Sequence, residues 1–165
     1  MVDRRPVPSA LDDLDRRLLL CLAEHPRAGV MELARQLEVA RGTVQARMEK
    51  LQQRGVVTGY GPDVDLRSIG YDVVAFVTLE ISQGALETVV AHLSTLPEVL
   101  EVHTTTGPGD LLCRVAAPTN ADLQPVIARM LANGGIERTT TQIAITEQIP
   151  YRVLPLVAGT ATSGP

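Results

Sequence analysis

Hydrophobic residues recur at helical spacing in the first third of the chain and predict a run of short helices. Leu14, Leu18 and Leu22 repeat every four residues, which places them on one buried face of a first helix. Asp12 is suited to cap the N-terminus of this helix, and Pro26 follows its C-terminal end. The pattern therefore predicts an amphipathic helix that packs against its neighbours.

Two further helices follow, joined by a three-residue turn. Apolar side chains at every third or fourth position predict helices over residues 30–37 and 41–53, with the turn at residues 38–40. A helix followed by two helices joined in this way is typical of a helix-turn-helix, whose last helix enters the major groove of DNA. Gly55 is suited to end the third helix, and the β-branched residues within 56–60 predict a short wing strand.

Beyond residue 70 the pattern changes to β-branched and alternating segments. Their order, strand–helix–strand and again strand–helix–strand, predicts a ferredoxin-like sandwich with both helices on one face of the sheet. The other face needs cover, and a second copy of the chain is an economical one, so we expect at least a homodimer. The predicted strands are residues 71–81, 99–105, 110–117 and 136–147, and apolar helical repeats lie at 86–93 and 123–131.

The predicted fold class is therefore α+β, a winged helix-turn-helix domain followed by a ferredoxin-like βαββαβ sandwich. We expect a flexible N-terminal arm (1–10), the winged helix-turn-helix (11–60), a linker strand (61–70), the sandwich (71–150) and a C-terminal tail (151–165) that is mobile from residue 153 onward.

Charge is divided unevenly between the two domains. The 165 residues carry 15 Lys and Arg against 19 Asp and Glu, a net charge of -4. Residues 1–60 hold 10 basic and 8 acidic residues, net +2, whereas residues 61–165 hold 5 and 11, net -6. Such asymmetry favours a nucleic-acid-binding module joined to a domain with another role.

Composition excludes several other classes of protein. Aromatic residues make up 2% of the chain, which argues against modules that stack single-stranded bases. No apolar run is long enough for a membrane helix, and Cys21 and Cys113 lie far apart in apolar surroundings, as expected in a reducing cytoplasm. Motifs for catalysis, metal binding or a cofactor are absent, and His25, His92 and His103 favour structural roles. We therefore expect no enzyme, metal or cofactor.

The third predicted helix carries the candidate DNA-binding surface. With Val44 at the centre of its buried face, the opposite face has small residues in the middle and polar residues at its sides. Small side chains allow close approach to base edges, to which Thr and Gln can hydrogen-bond, while cations hold phosphates. The candidate DNA-binding residues are Arg41, Gly42, Thr43, Gln45, Ala46, Arg47 and Lys50.

Two residues of this helix leave alternatives open. Arg47 lies at the boundary between faces, where a phosphate contact and a structural ion pair are equally compatible with the pattern. Glu49 would repel phosphate unless it accepts from a cytosine amino group or faces solvent. An ordinary three-helix subdomain with solvated charges is the alternative to a DNA-binding one.

Several segments together resemble the Lrp/AsnC (feast/famine) family of transcriptional regulators. The likeness covers residues 11–150 in order and across both domains. The matching segments are LDDLDRRL (11–18), ELA (32–34), TVQARMEKL (43–51), GVVTGY (55–60), PEV (97–99), TGPGD (106–110), and Gly135-Ile136 followed by Thr139, Thr140 and Thr141.

The resemblance implies a DNA-binding regulator that dimerises, often assembles into octamers, and binds a small molecule, usually an amino acid, near the turn before the third strand. Carried over by position, the effector-binding residues are Gly107, Gly109, Asp110, Thr139 and Thr141. Glycine amides suit a carboxylate and Asp110 suits an ammonium group. The same segment also makes a good hairpin turn without any ligand.

Three positions depart from the family pattern. Pro108 replaces a common acidic residue of the turn and removes an N–H donor, which bears on effector binding. Glu38 replaces the usual glycine of the turn, and Ala40 replaces the usual serine that caps the third helix. Together with Glu49, they motivate a second hypothesis, a ligand-sensing or assembly protein without specific DNA binding. A third hypothesis, to which only His103 points, is an enzyme similar to tetrapyrrole decarboxylases of the same architecture.

Overall fold

The computed structural model describes residues 11–159, which divide into two compact units. The first comprises residues 11–62 together with 150–159, and the second comprises residues 63–149. The predicted N-terminal arm and the last six residues of the predicted tail lie outside the described residues.

Three helices build the first unit. They are α1 (Asp13–Glu24), α2 (Val30–Leu37) and α3 (Arg41–Gln53), so the helix-turn-helix is confirmed and α2 and α3 have the predicted bounds. The predicted cap is also present, since the Asp12 side chain accepts from the Asp15 amide at 2.8 Å. Their shared core consists of Leu18, Cys21, Leu33, Ala34, Leu37, Val44 and Leu51.

The turn between α2 and α3 shows how the two unusual residues are accommodated. Glu38 adopts the left-handed conformation with φ of 57°, which glycine adopts without strain. Ala40 is the N-cap of α3 and provides no side-chain hydrogen bond to the first turn. The turn therefore keeps its shape with a strained Glu38 and an uncapped recognition helix.

The predicted wing strand and linker strand are wrong. Residues 56–60 form no strand, because the amides of Val56 and Val57 bond back to the Leu51 carbonyl at 2.9 and 3.3 Å and close the end of α3. In place of a linker strand, the described chain has a short 3-10 helix at Arg67–Ile69, where the Ser68 amide donates to Asp65 Oδ1. A strand needs a partner along its length, and neither segment has one within the described chain.

The prediction of a tail that is mobile from residue 153 onward is also wrong. Residues Leu154–Gly159 form α6, which lies against α1. Leu20, on the face of α1 opposite Leu18, is only half-exposed, and Val157 of α6 is half-buried. A six-residue helix is marginal alone, so packing against α1 stabilises a segment that local sequence signals did not mark as helical.

The second unit is a four-stranded antiparallel sheet with strand order β2-β3-β1-β4. This arrangement confirms the ferredoxin-like prediction. The strands are β1 (Val73–Ile81), β2 (Val99–Thr104), β3 (Leu111–Ala117) and β4 (Ile136–Ala144), and the helices are α4 (Leu86–Leu93) and α5 (Asn120–Leu131).

One face of this sheet holds the core and the other is open in the described chain. Alternate residues of β1 and β3 pack with Val89 and Leu93 of α4 and with residues of α5, as expected for period-two strands. On the other face Phe76 of β1 is 41% exposed, and Arg114 is its cross-strand partner on β3. The core consists of Ala75, Val77, Leu79, Val89, Leu93, Leu111, Cys113, Val115, Ala117, Leu123, Val126 and Met130.

Candidate DNA-binding surface and effector site

Helix α3 presents the candidate DNA-binding residues on the face away from the core. Val44 and Leu51 are buried at 1% and 0% exposure, which fixes the orientation of the helix. The middle of the outward face is small, and a Cβ added at Gly42 would meet nothing within 4 Å. Six of the seven candidates are exposed: Arg41, Gly42, Thr43, Gln45, Ala46 and Lys50.

Two cations at this surface are available to a ligand. Arg41 and Lys50 are exposed, and neither forms a hydrogen bond or ion pair with another residue of the described chain. The first turn of α3 contains no acidic residue, so Arg41 adds to the positive end of the helix dipole. This end of α3 is therefore electrostatically suited to phosphate.

Arg47, the seventh candidate, forms a structural ion pair instead. Its guanidinium donates to Asp12 Oδ2 and, at 2.9 Å, to Asp15 Oδ1. Asp15 is 1% exposed, and its second oxygen lies 3.8 Å from Nη1 of Arg54. The Arg47 hydrogen bond holds the pKa of Asp12 below its usual value. Of the two alternatives left by the sequence, the ion pair is the one present, and it joins α1 to α3.

On the outward face, the candidate residue Gln45 contacts Glu49, which was not among the candidate DNA-binding residues. Gln45 Nε2 donates to Glu49 Oε1 at 2.7 Å, and both side chains are exposed. Residues four apart on a helix lie on one face, so the spacing alone was a usable signal for this pair.

In the second unit, the candidate effector turn is built from two glycines in conformations that other residues rarely adopt. Gly107 and Gly109 have φ of 118° and 100°. A Cβ at Gly109 would collide with Thr78 Cγ2 and lie 3.3 Å from the Leu79 carbonyl oxygen, whereas a Cβ at Gly107 would meet nothing within 4 Å. Gly109 is therefore required for the close approach of the turn to β1, whereas Gly107 lies on the side of the turn that faces away from other residues.

Asp110 fastens this turn to the end of β1. Its amide donates to the Leu79 carbonyl at 2.8 Å, and its Oδ2 accepts from the Ile81 amide at 2.8 Å. The Thr105 amide donates to the Asp110 carbonyl at 3.0 Å and closes the hairpin. Asp110 thus has a structural role, while its side chain is exposed and its second carboxylate oxygen has no hydrogen bond within the described residues.

The two candidate threonines lie on the other side of β1. Thr139 pairs with Leu79 and Thr141 pairs with Val77 in the register of β1 and β4. The Thr139 Oγ1 atom is buried and has no hydrogen-bond partner among the described residues. Gly109, Asp110 and Thr139 therefore surround the same end of β1, with Thr141 two residues further along and Gly107 at the tip of the turn.

The three histidines lie on different elements, with His25 at the end of α1, His92 in α4 and His103 in β2. His92 Nε2 lies 2.8 Å from the Arg129 carbonyl, and His103 Nε2 lies 3.4 Å from Glu101 Oε2. Across residues 11–159 there is no group of three or more His, Cys, Asp or Glu arranged to hold a metal ion. Within the same range, no helix is both long enough and apolar enough to span a membrane.

Comparison with known proteins matches both units to one family. Residues 11–52 match the AsnC-type helix-turn-helix domain, and residues 74–154 match the Lrp/AsnC ligand-binding domain. The regulatory protein AsnC of Escherichia coli is 32% identical over 147 residues, which cover 88% of this chain and 97% of that protein.

Solved structures agree with this assignment. The structure of E. coli AsnC has a TM-score of 0.83 and covers 89% of this chain and 100% of its own, at 32% identity. A Neisseria meningitidis transcriptional regulator solved in complex with L-Met shares the fold, with a TM-score of 0.78 over 86% of this chain and 94% of its own, at 23% identity. The chain belongs to the Lrp/AsnC family of helix-turn-helix transcriptional regulators.

Proposed function

We propose that this regulator binds specific sequences of double-stranded DNA through the outward face of α3, as a homodimer or an assembly of dimers up to an octamer. We further propose that a small molecule, an amino acid, modulates DNA binding or assembly. The observation that carries the DNA proposal is the exposed, small-centred face of α3 with Arg41 and Lys50 unpaired beside it.

The α3 residues have separable roles in this proposal. Arg41 and Lys50 contact phosphates, which supplies affinity without sequence preference. Thr43 and Gln45 contact base edges, while Gly42 and Ala46 allow the helix to approach them. Arg47 maintains the orientation of α3 through Asp12 and Asp15 and does not contribute a free cation.

A gel shift with duplex DNA from upstream of the gene tests this division. Binding should weaken steeply as salt rises, because each phosphate contact releases counterions. Arg41→Ala and Lys50→Ala should weaken binding to all sequences alike and reduce the salt dependence, whereas Thr43→Ala should change sequence preference. Folded protein that gives no shift at low salt would refute the proposal and favour a ligand-sensing or assembly protein.

The effector proposal rests on the turn before β3. The amides of Gly107 and Gly109 donate no hydrogen bond within the described residues and can receive a carboxylate. The free oxygen of Asp110 can accept from an ammonium group, and the unpartnered Thr139 hydroxyl lies near the same end of β1. The Neisseria meningitidis regulator that shares this fold was solved in complex with L-Met, which supports an amino acid as the class of ligand.

A thermal-shift screen of the twenty amino acids tests the effector. A ligand that binds the folded state raises the melting temperature by mass action. Asp110→Asn is the matched variant, because the amide oxygen still accepts from Ile81 while the negative charge is lost. The shift should fall in this variant, and a flat response of the wild-type protein to every amino acid would refute an amino-acid effector.

Assembly is proposed from the open face of the sheet. Phe76 is 41% exposed there, with Arg114 and Gln142 as its partners on the two adjacent strands, and an equivalent face on a second copy would cover it. Light scattering after size-exclusion chromatography measures the assembly, and a monomer at micromolar concentration would refute this part. A DNA-binding regulator with two free thiols, Cys21 and Cys113, is proposed to act in the cytoplasm.

A further inference from the structure

The Gln45–Glu49 pair places an acidic side chain on the surface proposed to face DNA. Both residues are exposed, and at 100° per residue they lie only 40° apart around α3. Glu49 points nearer to the middle of the outward face, beside Ala46, and Gln45 lies at its flank. A carboxylate there repels phosphate and weakens binding to every sequence unless it finds a donor in the groove.

The hydrogen bond between them determines which groups remain for DNA. A carboxylate only accepts hydrogen bonds, so the Gln45 atom at 2.7 Å from Glu49 Oε1 is its amide nitrogen. Glu49 Oε2 and Gln45 Oε1 remain as acceptors, together with one N–H of Gln45. An exposed pair of this kind contributes little to helix stability, and its main effect is to hold the carboxylate in one orientation.

An acceptor-rich pair discriminates among bases in the major groove. Cytosine presents its N4 amino group there as a donor, whereas guanine presents only the acceptors O6 and N7. Glu49 Oε2 would gain a charge-assisted hydrogen bond from cytosine and be repelled by guanine at the same position.

We propose that Glu49, positioned by Gln45, selects cytosine at one base pair of each half-site. Glu49 contacts the cytosine, and Gln45 orients the Glu49 carboxylate with one N–H while its Oε1 and its other N–H remain for a neighbouring base edge. The inference rests on the proposed DNA-binding function and names a specificity determinant within it.

Selection from a library of random DNA duplexes tests the pair, using the full chain and four variants. Wild-type protein should favour cytosine over guanine at one position by about tenfold. Glu49→Gln should reduce this preference to about twofold or less, because the added N–H tolerates guanine acceptors. Gln45→Ala should weaken the same preference, and the double variant should lose no more than Glu49→Gln alone, as expected for coupled residues.

Glu38→Gln is the matched control, since it removes the same charge from the exposed turn beside α3. It should leave the cytosine preference at about tenfold. If Glu49→Gln and Glu38→Gln both strengthen binding to all sequences equally and leave the enriched sequence unchanged, Glu49 acts only by repulsion and the inference is overturned. If wild-type protein enriches no sequence at all, the proposed DNA-binding function itself fails.

Discussion

Asp15 is the buried charge that joins α1 to α3, and replacing it measures what holds the recognition helix in place. It is 1% exposed, with Oδ1 at 2.9 Å from Arg47 Nη1 and Oδ2 at 3.8 Å from Arg54 Nη1. Asp15→Ala removes the acceptor from both guanidinium groups and leaves Arg47 with Asp12 alone.

The expected cost follows from these contacts. A hydrogen bond to a charged group contributes about 1.5–3 kcal/mol to stability, and the longer Arg54 contact adds less. We expect Asp15→Ala to lower the free energy of unfolding by about 2–3 kcal/mol. Asp15→Asn keeps an oxygen that accepts from Arg47 but loses the charge, so it should cost roughly half as much.

Urea unfolding followed by circular dichroism measures these differences, and hydrogen exchange of the α1 amides assigns them to the helical unit. Asp13→Ala is the control, because Asp13 is an exposed acid in the same helical turn. A change smaller than about 0.5 kcal/mol for Asp15→Ala, no larger than that of a typical surface substitution, would show that the ion pair does not hold α1 to α3.

Further predictions concern the turn, the pH response, a buried thiol and the last helix. Gly109→Ala should destabilise the sheet unit in urea more than Gly107→Ala, because only at Gly109 does a Cβ meet the neighbouring strand; equal effects would contradict this. Because a hydrogen bond holds the pKa of Asp12 below its usual value of 3.8, ionised Asp12 stabilises the fold above that value and the contribution is lost as pH falls through the lowered pKa. Asp12→Asn should therefore flatten the loss of stability measured in an acid titration. Burial raises the pKa of the Cys113 thiol to about 11, so iodoacetamide at pH 8 should leave it unmodified until the protein is unfolded, as mass spectrometry of peptides would show. Deleting α6 and the residues after it should lower the melting temperature of the helical unit, whereas deleting only the residues after it should not.

The sequence pattern predicts those helices and strands whose apolar spacing and turn residues lie close together in the chain. The bounds of α2 and α3 follow from apolar spacing, and the positions of the four strands along the chain follow from β-branched segments between turns. The segment 56–60 has the same β-branched composition but forms no strand, because strand formation depends on a partner that local composition does not reveal.

The features that the sequence did not predict depend on contacts between residues far apart in the chain. Arg47 lies 32 residues from Asp15 in sequence, so periodicity identified a boundary position but not its partner. Helix α6 contains Pro155 and ends at Gly159, two residues that favour loops, and it is stabilised by α1 from the opposite end of the chain. The turn at 107–110 was recognisable from its glycines, whereas the anchoring of Asp110 to Ile81 required the fold.

Because the helical unit is formed by residues 11–62 and 150–159, the sheet unit is an insertion within it. During synthesis α1, α2 and α3 leave the ribosome first, and α6, which lies against α1, is the last described element to emerge. A product truncated anywhere within the sheet would therefore carry a recognition helix but lack part of the cover of α1. The segment proposed to contact DNA reaches its full stability only after the segment proposed to sense the effector has been made.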